Sequence, residues 1–143
     1  MDRVVVEEKL ESLRRCLARV ADKCPSDVAD LIHDVDLQDI ITLNLTRSVQ
    51  LSVDIAAHWL AGIEEIAPPD TMGGMFAALA QHGHFEAELA KRMQKAVGFR
   101  NVAVHQYEAI DWEMVYAICK NHLDDFTQFA KVVYMVLGHQ GEL

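Results

Sequence analysis

Between Leu37 and Ala61 the chain carries Leu37, Ile40, Ile41, Leu43, Leu45, Val49, Leu51, Val53, Ile55, Trp59 and Leu60, which cover most of a helix circumference. A helix apolar nearly all round belongs at the centre of a bundle, with other helices packed about it. Its polar residues Asn44, Arg47, Gln50, Asp54 and His58 follow three- and four-residue steps and share one stripe, which faces either water or a site.

The flanking sequence supplies helices to surround it. Val6, Leu10, Leu13, Leu17, Val20 and Cys24 line one face of a first helix that ends near Pro25. Pro25-Ser26-Asp27 gives a break and a cap, after which Val28, Leu31, Ile32 and Val35 restart the pattern. Pro68-Pro69-Asp70 is a loop, and Thr71 to Gln81 reads as a short helix weakened by Gly73-Gly74. A fourth long segment is predicted from Phe85 to His105. A fifth follows Asp111, with Trp112, Val115, Cys119, Phe126, Phe129 and Val133 on one side as far as Gly138. No stretch alternates with period two over a strand's length. The expected fold is therefore all-α, an antiparallel bundle of four to five main helices, with residues 1–143 forming one domain.

Bulk properties narrow the function. The first residues lack the apolar centre of a signal peptide, and no segment approaches the roughly 18 uninterrupted apolar residues of a membrane span, so a cytoplasmic protein is expected. Cys16, Cys24 and Cys119 are odd in number, have no Cys-x-x-Cys spacing, and read as reduced core thiols. A formal charge of −9 excludes a broad nucleic-acid-coating surface, so any contact with RNA must be local. His82 and His84 flank Gly83 at a spacing that suits a metal only with a third ligand, and none is identifiable, so no metal is expected. Met72, Met75, Met93 and Met114 read as core filling, and Gly73-Gly74 lacks the setting of a phosphate-binding loop.

One window departs from the acidic background. Between Glu88 and Glu108 there is no carboxylate, while Lys91, Arg92, Lys95, Arg100 and His105 all fall inside it. By composition this is either a solvated cationic face or a site. It contains the string Gly98-Phe99-Arg100-Asn101-Val102-Ala103-Val104-His105-Gln106-Tyr107.

Arg100, His105 and Tyr107, with the polar Asn101 after the Arg, match Arg-x-x-x-x-His-x-Tyr, and on this string the chain resembles the HEPN superfamily of helical-bundle ribonucleases and its HepT toxin branch. Leu37-Gln38-Asp39, Leu43-Asn44-Leu45, Asp54-Ile55-Ala56-Ala57-His58 and His122-Leu123-Asp124-Asp125-Phe126 extend the likeness over most of the chain from the second helix onward.

The residue types suit RNA cleavage. RNA supplies its own nucleophile, the 2′-hydroxyl, so a metal-independent enzyme must move protons and steady the phosphorus centre. Histidine, with an ordinary pKa of about 6.5, does the first, and His105 is the candidate. Arginine's planar fork does the second, and Arg100 is the candidate. Asn101 and Lys95 are candidates for positioning substrate, and Asp54 and His58 for supporting the cleft. Five residues on a helix separate two side chains by roughly 140°, so either the helix breaks before His105 or one phosphate is gripped by two subunits.

The resemblance implies the second arrangement: a homodimer in which one His105 takes the 2′-hydroxyl proton and its mate protonates the departing 5′-oxygen, leaving a 2′,3′-cyclic phosphate. No cofactor is implied. It further implies an RNA substrate and a cognate MntA-like minimal nucleotidyltransferase antitoxin, which is implicated in adenylylating Tyr107, with the homodimer alone or in a higher assembly with that antitoxin. In a continuing helix Tyr107, two turns on, projects on nearly the same side as Arg100. The competing reading is a non-catalytic HEPN subunit that binds a nucleotide or the partner nucleotidyltransferase.

Overall fold

The computed structural model describes residues 1–141 of the backbone, and the described part is helical without strands. In chain order the elements are α1 (Arg3–Lys23), α2 (Val28–Ile32), α3 (Val35–Ala61), α4 (Met72–Gln81), α5 (Ala87–His105), a 3₁₀ turn (Tyr107–Ala109), α6 (Trp112–Ala117), a π turn (Ile118–His122) and α7 (Leu123–Gly141). The bundle is antiparallel and all-α, as the periodicity predicts.

Side-chain caps set most of the starts. The carboxylates of Asp2, Asp27 and Asp34 accept from the backbone N–H groups of Val5, Ala29 and Leu37, and the Thr71 hydroxyl accepts from Gly74. Asp111 accepts from both Glu113 and Met114. Each such acceptor satisfies an N–H that helix geometry leaves without a partner, typically worth about 1 kcal/mol.

Several boundaries differ from the sequence reading, and Val35 opens α3 instead of closing the second helix. The fourth long helix begins at Ala87, not Phe85, because Phe85 leaves the chain axis to pack against Trp59 and Phe129 at 6.2 and 6.1 Å between ring centroids. The fifth is interrupted by the π turn, and its last segment runs through Gly138, where the missing side chain meets nothing that would stop a helix.

α3 is central, burying eleven residues from Ile41 to Leu60. Two buried hydroxyls in it are satisfied within the helix, Ser48 donating to the Asn44 carbonyl and Ser52 to that of Ser48, both at 2.8 Å. Around α3 the core divides in two. One part gathers Leu13, Val53, Phe76, Leu89, Met93 and Phe129, with Phe76 and Phe129 edge to face at 5.5 Å. The other joins Val20, Leu31, Ile41, Leu45, Phe99 and Ala103 to Ile110 and Val115. Phe129 is fully buried, so Phe129→Ala is expected to cost about 3–5 kcal/mol, read as a lowered urea midpoint with unchanged slope.

Among the described residues no helix is long and apolar enough to cross a membrane. The three cysteines are free, with Cys16 and Cys119 buried. Burial and the nearby Cys24 push the Cys119 thiol up to about 12, so it stays protonated and unreactive.

Candidate active site

Two buried residues decide how the motif is presented. Phe99 and Ala103, one turn apart on α5, sink into the second part of the core. Arg100, Asn101, Val104 and His105, which flank them, are turned outward: Arg100 is half-buried and the other three are exposed. A helix anchored in this way on rigid packing holds its outward side chains at fixed bearings.

α5 continues without a break through His105, its last residue. Arg100 and His105 therefore remain roughly 140° apart around the axis and roughly 7.5 Å apart along it. Of the two arrangements the sequence leaves open, a helix broken before His105 is excluded. Arg100 donates from Nη1 to the Asn101 Oδ1 at 3.2 Å, so Asn101 braces the guanidinium. His105 makes no hydrogen bond or ion pair among the described residues and stands open to solvent.

Tyr107 does not lie in a continuing helix. The helix ends at His105, Gln106 turns the chain with φ −142 and ψ 57, and Tyr107 starts the 3₁₀ turn instead of continuing α5. Its hydroxyl donates to Asp39 Oδ1 on α3 at 2.7 Å, and its ring meets Trp112 edge-on at 6.0 Å. Partial burial and the Asp39 carboxylate push the phenol up to about 12, so at neutral pH it keeps its proton. Asp39 sits 68 positions from Tyr107, and no local pattern pairs them.

The Asp54–His58 end of the polar stripe of α3 does not join the motif within a protomer. Asp54 accepts from Gln50 Nε2 at 3.0 Å and pairs with Lys9 of α1 at 3.5 Å. It lies 15 residues along α3 from Asp39, roughly 22 Å, and His58 lies one turn farther. Asp54 thus faces α1, and the structure brings neither Asp54 nor His58 beside Arg100 and His105 within a protomer. His84 packs edge-on against Trp59 at 5.7 Å, and no cluster of three potential metal ligands forms among the described residues.

Lys95 does lie beside the motif. It lines an apolar groove of about 620 Å³ between α5 and α6, floored by Phe99, Val102, Ile110 and Met114. At its other rim the π turn pushes His122 outward over Asp125, 3.6 Å from its Nδ1, while Arg92 holds the same carboxylate at 2.8 Å.

Comparison with known proteins places the chain in a family. Residues 8–133 match the family model described as Ribonuclease HepT-like. The chain belongs to that family. It is 31% identical over 129 residues to the mRNA nuclease HepT of Shewanella oneidensis, covering 90% of this chain and 96% of that one. To the tRNA nuclease HepT of Aphanizomenon flos-aquae it is 25% identical, over 91% of this chain and 88% of the other. Among solved structures, the tri-AMPylated HEPN toxin of Shewanella oneidensis in complex with MNT antitoxin superposes with a TM-score of 0.86. That match has 30% identity and covers 94% of this HepT-like chain and 99% of the toxin.

Proposed function

We propose that this HepT-like protein is a cytoplasmic, metal-independent RNA endonuclease, the toxin of a toxin–antitoxin pair whose antitoxin is a minimal nucleotidyltransferase. The observation that carries the mechanism is the unbroken α5, which presents Arg100 and an unpartnered His105 on different bearings. One protomer cannot close both on one phosphate, so the reactive centre lies between two. Exposed Val102, Val104 and Met114 beside the motif give that contact an apolar border. The named relatives, an mRNA nuclease and a tRNA nuclease, support RNA as substrate.

In this scheme the Arg100 forks hold the scissile phosphate and meet the charge that builds on its oxygens. One His105 removes the 2′-hydroxyl proton as that oxygen attacks phosphorus, and the partner subunit's His105 gives a proton to the leaving 5′-oxygen. Lys95 steadies the flanking strand.

Subunit mixing tests the division of labour. If both histidines are needed, wild-type chain co-assembled with an equal amount of His105→Ala chain should retain about half the cleavage rate of the same wild-type chain alone. An undiminished rate would mean that each protomer works by itself. EDTA should leave the wild-type rate unchanged, and a strict requirement for Mg²⁺ would overturn the scheme.

A further inference from the structure

Among the described residues three arginines of this acidic chain, Arg19, Arg47 and Arg100, have no carboxylate partner, and the first two face the same hollow. The sequence holds 22 acidic residues against 13 Lys and Arg, and Arg3, Lys9, Arg14, Arg15, Lys91 and Arg92 all sit in ion pairs. Arg19 and Arg47 make none among the described residues. With Arg15 they line a surface concavity of about 470 Å³ between α1 and α3, joined by Ser12, Leu43 and Asn44 and by no aspartate or glutamate. Arg15 has only Glu11, at 3.3 Å, and that carboxylate is already held by two hydrogen bonds from Arg14 at 2.9 and 2.6 Å.

Arg15 and Arg19 are neighbours one turn apart on α1, and Arg47 faces them from α3. Like charges gathered without a counter-charge repel one another, and an anion entering the hollow removes that cost. Guanidinium forks match phosphate oxygens in shape as well as charge, and the Ser12 hydroxyl and Asn44 amide add neutral hydrogen-bonding groups.

The hollow is also in line with the motif. Asp39, Leu43 and Arg47 follow four-residue steps along one face of α3, and Asp39 is the residue that holds Tyr107. Arg47 is eight residues from Asp39, roughly 12 Å along the helix.

We propose that this hollow is a phosphate-binding subsite for the RNA substrate, in which Arg15, Arg19 and Arg47 hold backbone phosphates about two helical turns from Tyr107. It rests on the ribonuclease reading above. Three guanidinium groups spread over two helices fit a chain of phosphates better than the one phosphate of a mononucleotide. The site reconciles a net negative surface with a polyanionic substrate, because attraction is confined to one track.

The test uses the full chain carrying His105→Ala, so that bound RNA stays intact, and measures fluorescence anisotropy of a labelled single-stranded RNA across a salt series. Arg19→Ala and Arg47→Ala should each weaken binding roughly tenfold at low salt. Each should also flatten the plot of log affinity against log salt by about 0.7, the share of one phosphate contact on a single strand. Lys91→Ala, at the far end of α5, should leave that slope alone. Unchanged slopes for both arginine variants, with RNA still bound, would overturn the subsite and leave the nuclease reading standing. Absence of RNA binding and of wild-type cleavage would overturn the reading itself. Normal RNA binding by the variants with loss of the antitoxin would assign the hollow to a protein partner and sink the proposal.

Discussion

His105→Ala is expected to lower the rate of RNA cleavage by about 10²–10⁴-fold, the usual worth of a positioned proton-transfer group. Alanine removes an exposed side chain that makes no hydrogen bond or ion pair among the described residues, so folding and assembly should be untouched. The loss should therefore appear in cleavage alone, with RNA affinity and thermal unfolding unchanged. Arg100→Ala should cost about 10²–10³-fold, as for other donors aimed at transition-state charge. Its mutant should lose affinity as well as rate, because the guanidinium holds phosphate before and during reaction. Arg100→Lys should recover little, since a single ammonium cannot grip two oxygens as a planar fork does. A His105→Ala chain that cuts single-stranded RNA at the wild-type rate would remove the imidazole from the mechanism.

Why the motif could be read from sequence and its surroundings could not is a matter of range. The Asp27, Asp34, Thr71 and Asp111 caps act on N–H groups two or three residues on, so helix starts were written locally. Buried Phe99 and Ala103 lie in the same periodic pattern that exposes Arg100 and His105. The π turn left no trace, because the apolar spacing on either side of Ile118–His122 is compatible with an uninterrupted helix. The end of α5 at His105 matches the sequence reading, but the turn that follows it is not marked locally. No glycine or proline follows His105, and the turn is fixed by Ile110 burying itself and Asp111 capping α6. The bearing of Tyr107 is set by its partner Asp39, on a helix 68 positions away, and no local pattern shows it. The hollow of Arg15, Arg19 and Arg47 is of the same kind. Its members belong to two helices, and only their packing shows that three cations share a space.

Adenylylation of Tyr107 by the partner nucleotidyltransferase should stop cleavage, and Tyr107→Phe should escape that control. Geometry suits the hydroxyl as an acceptor: Tyr107 is 41% exposed, and Asp39 and Trp112 fix its direction. Because burial and the Asp39 carboxylate raise the phenol to about 12, its oxygen carries a proton until it attacks the α-phosphorus of ATP, when pyrophosphate leaves and the proton passes to a base, so the modification needs the partner's catalysis. An attached nucleotide adds bulk and an anionic phosphate two residues beyond His105, where it repels the phosphates of an approaching strand. If the strand also runs to the arginine hollow, the nucleotide stands across its path. Incubation with the partner and ATP should add nucleotide mass to wild type but none to Tyr107→Phe. RNA cleavage should fall to background in the first and hold at its own unmodified rate in the second. Nucleotide added to the Phe variant would move the control to another residue, and a fully modified wild type that still cuts RNA would show that Tyr107 lies off the substrate's route.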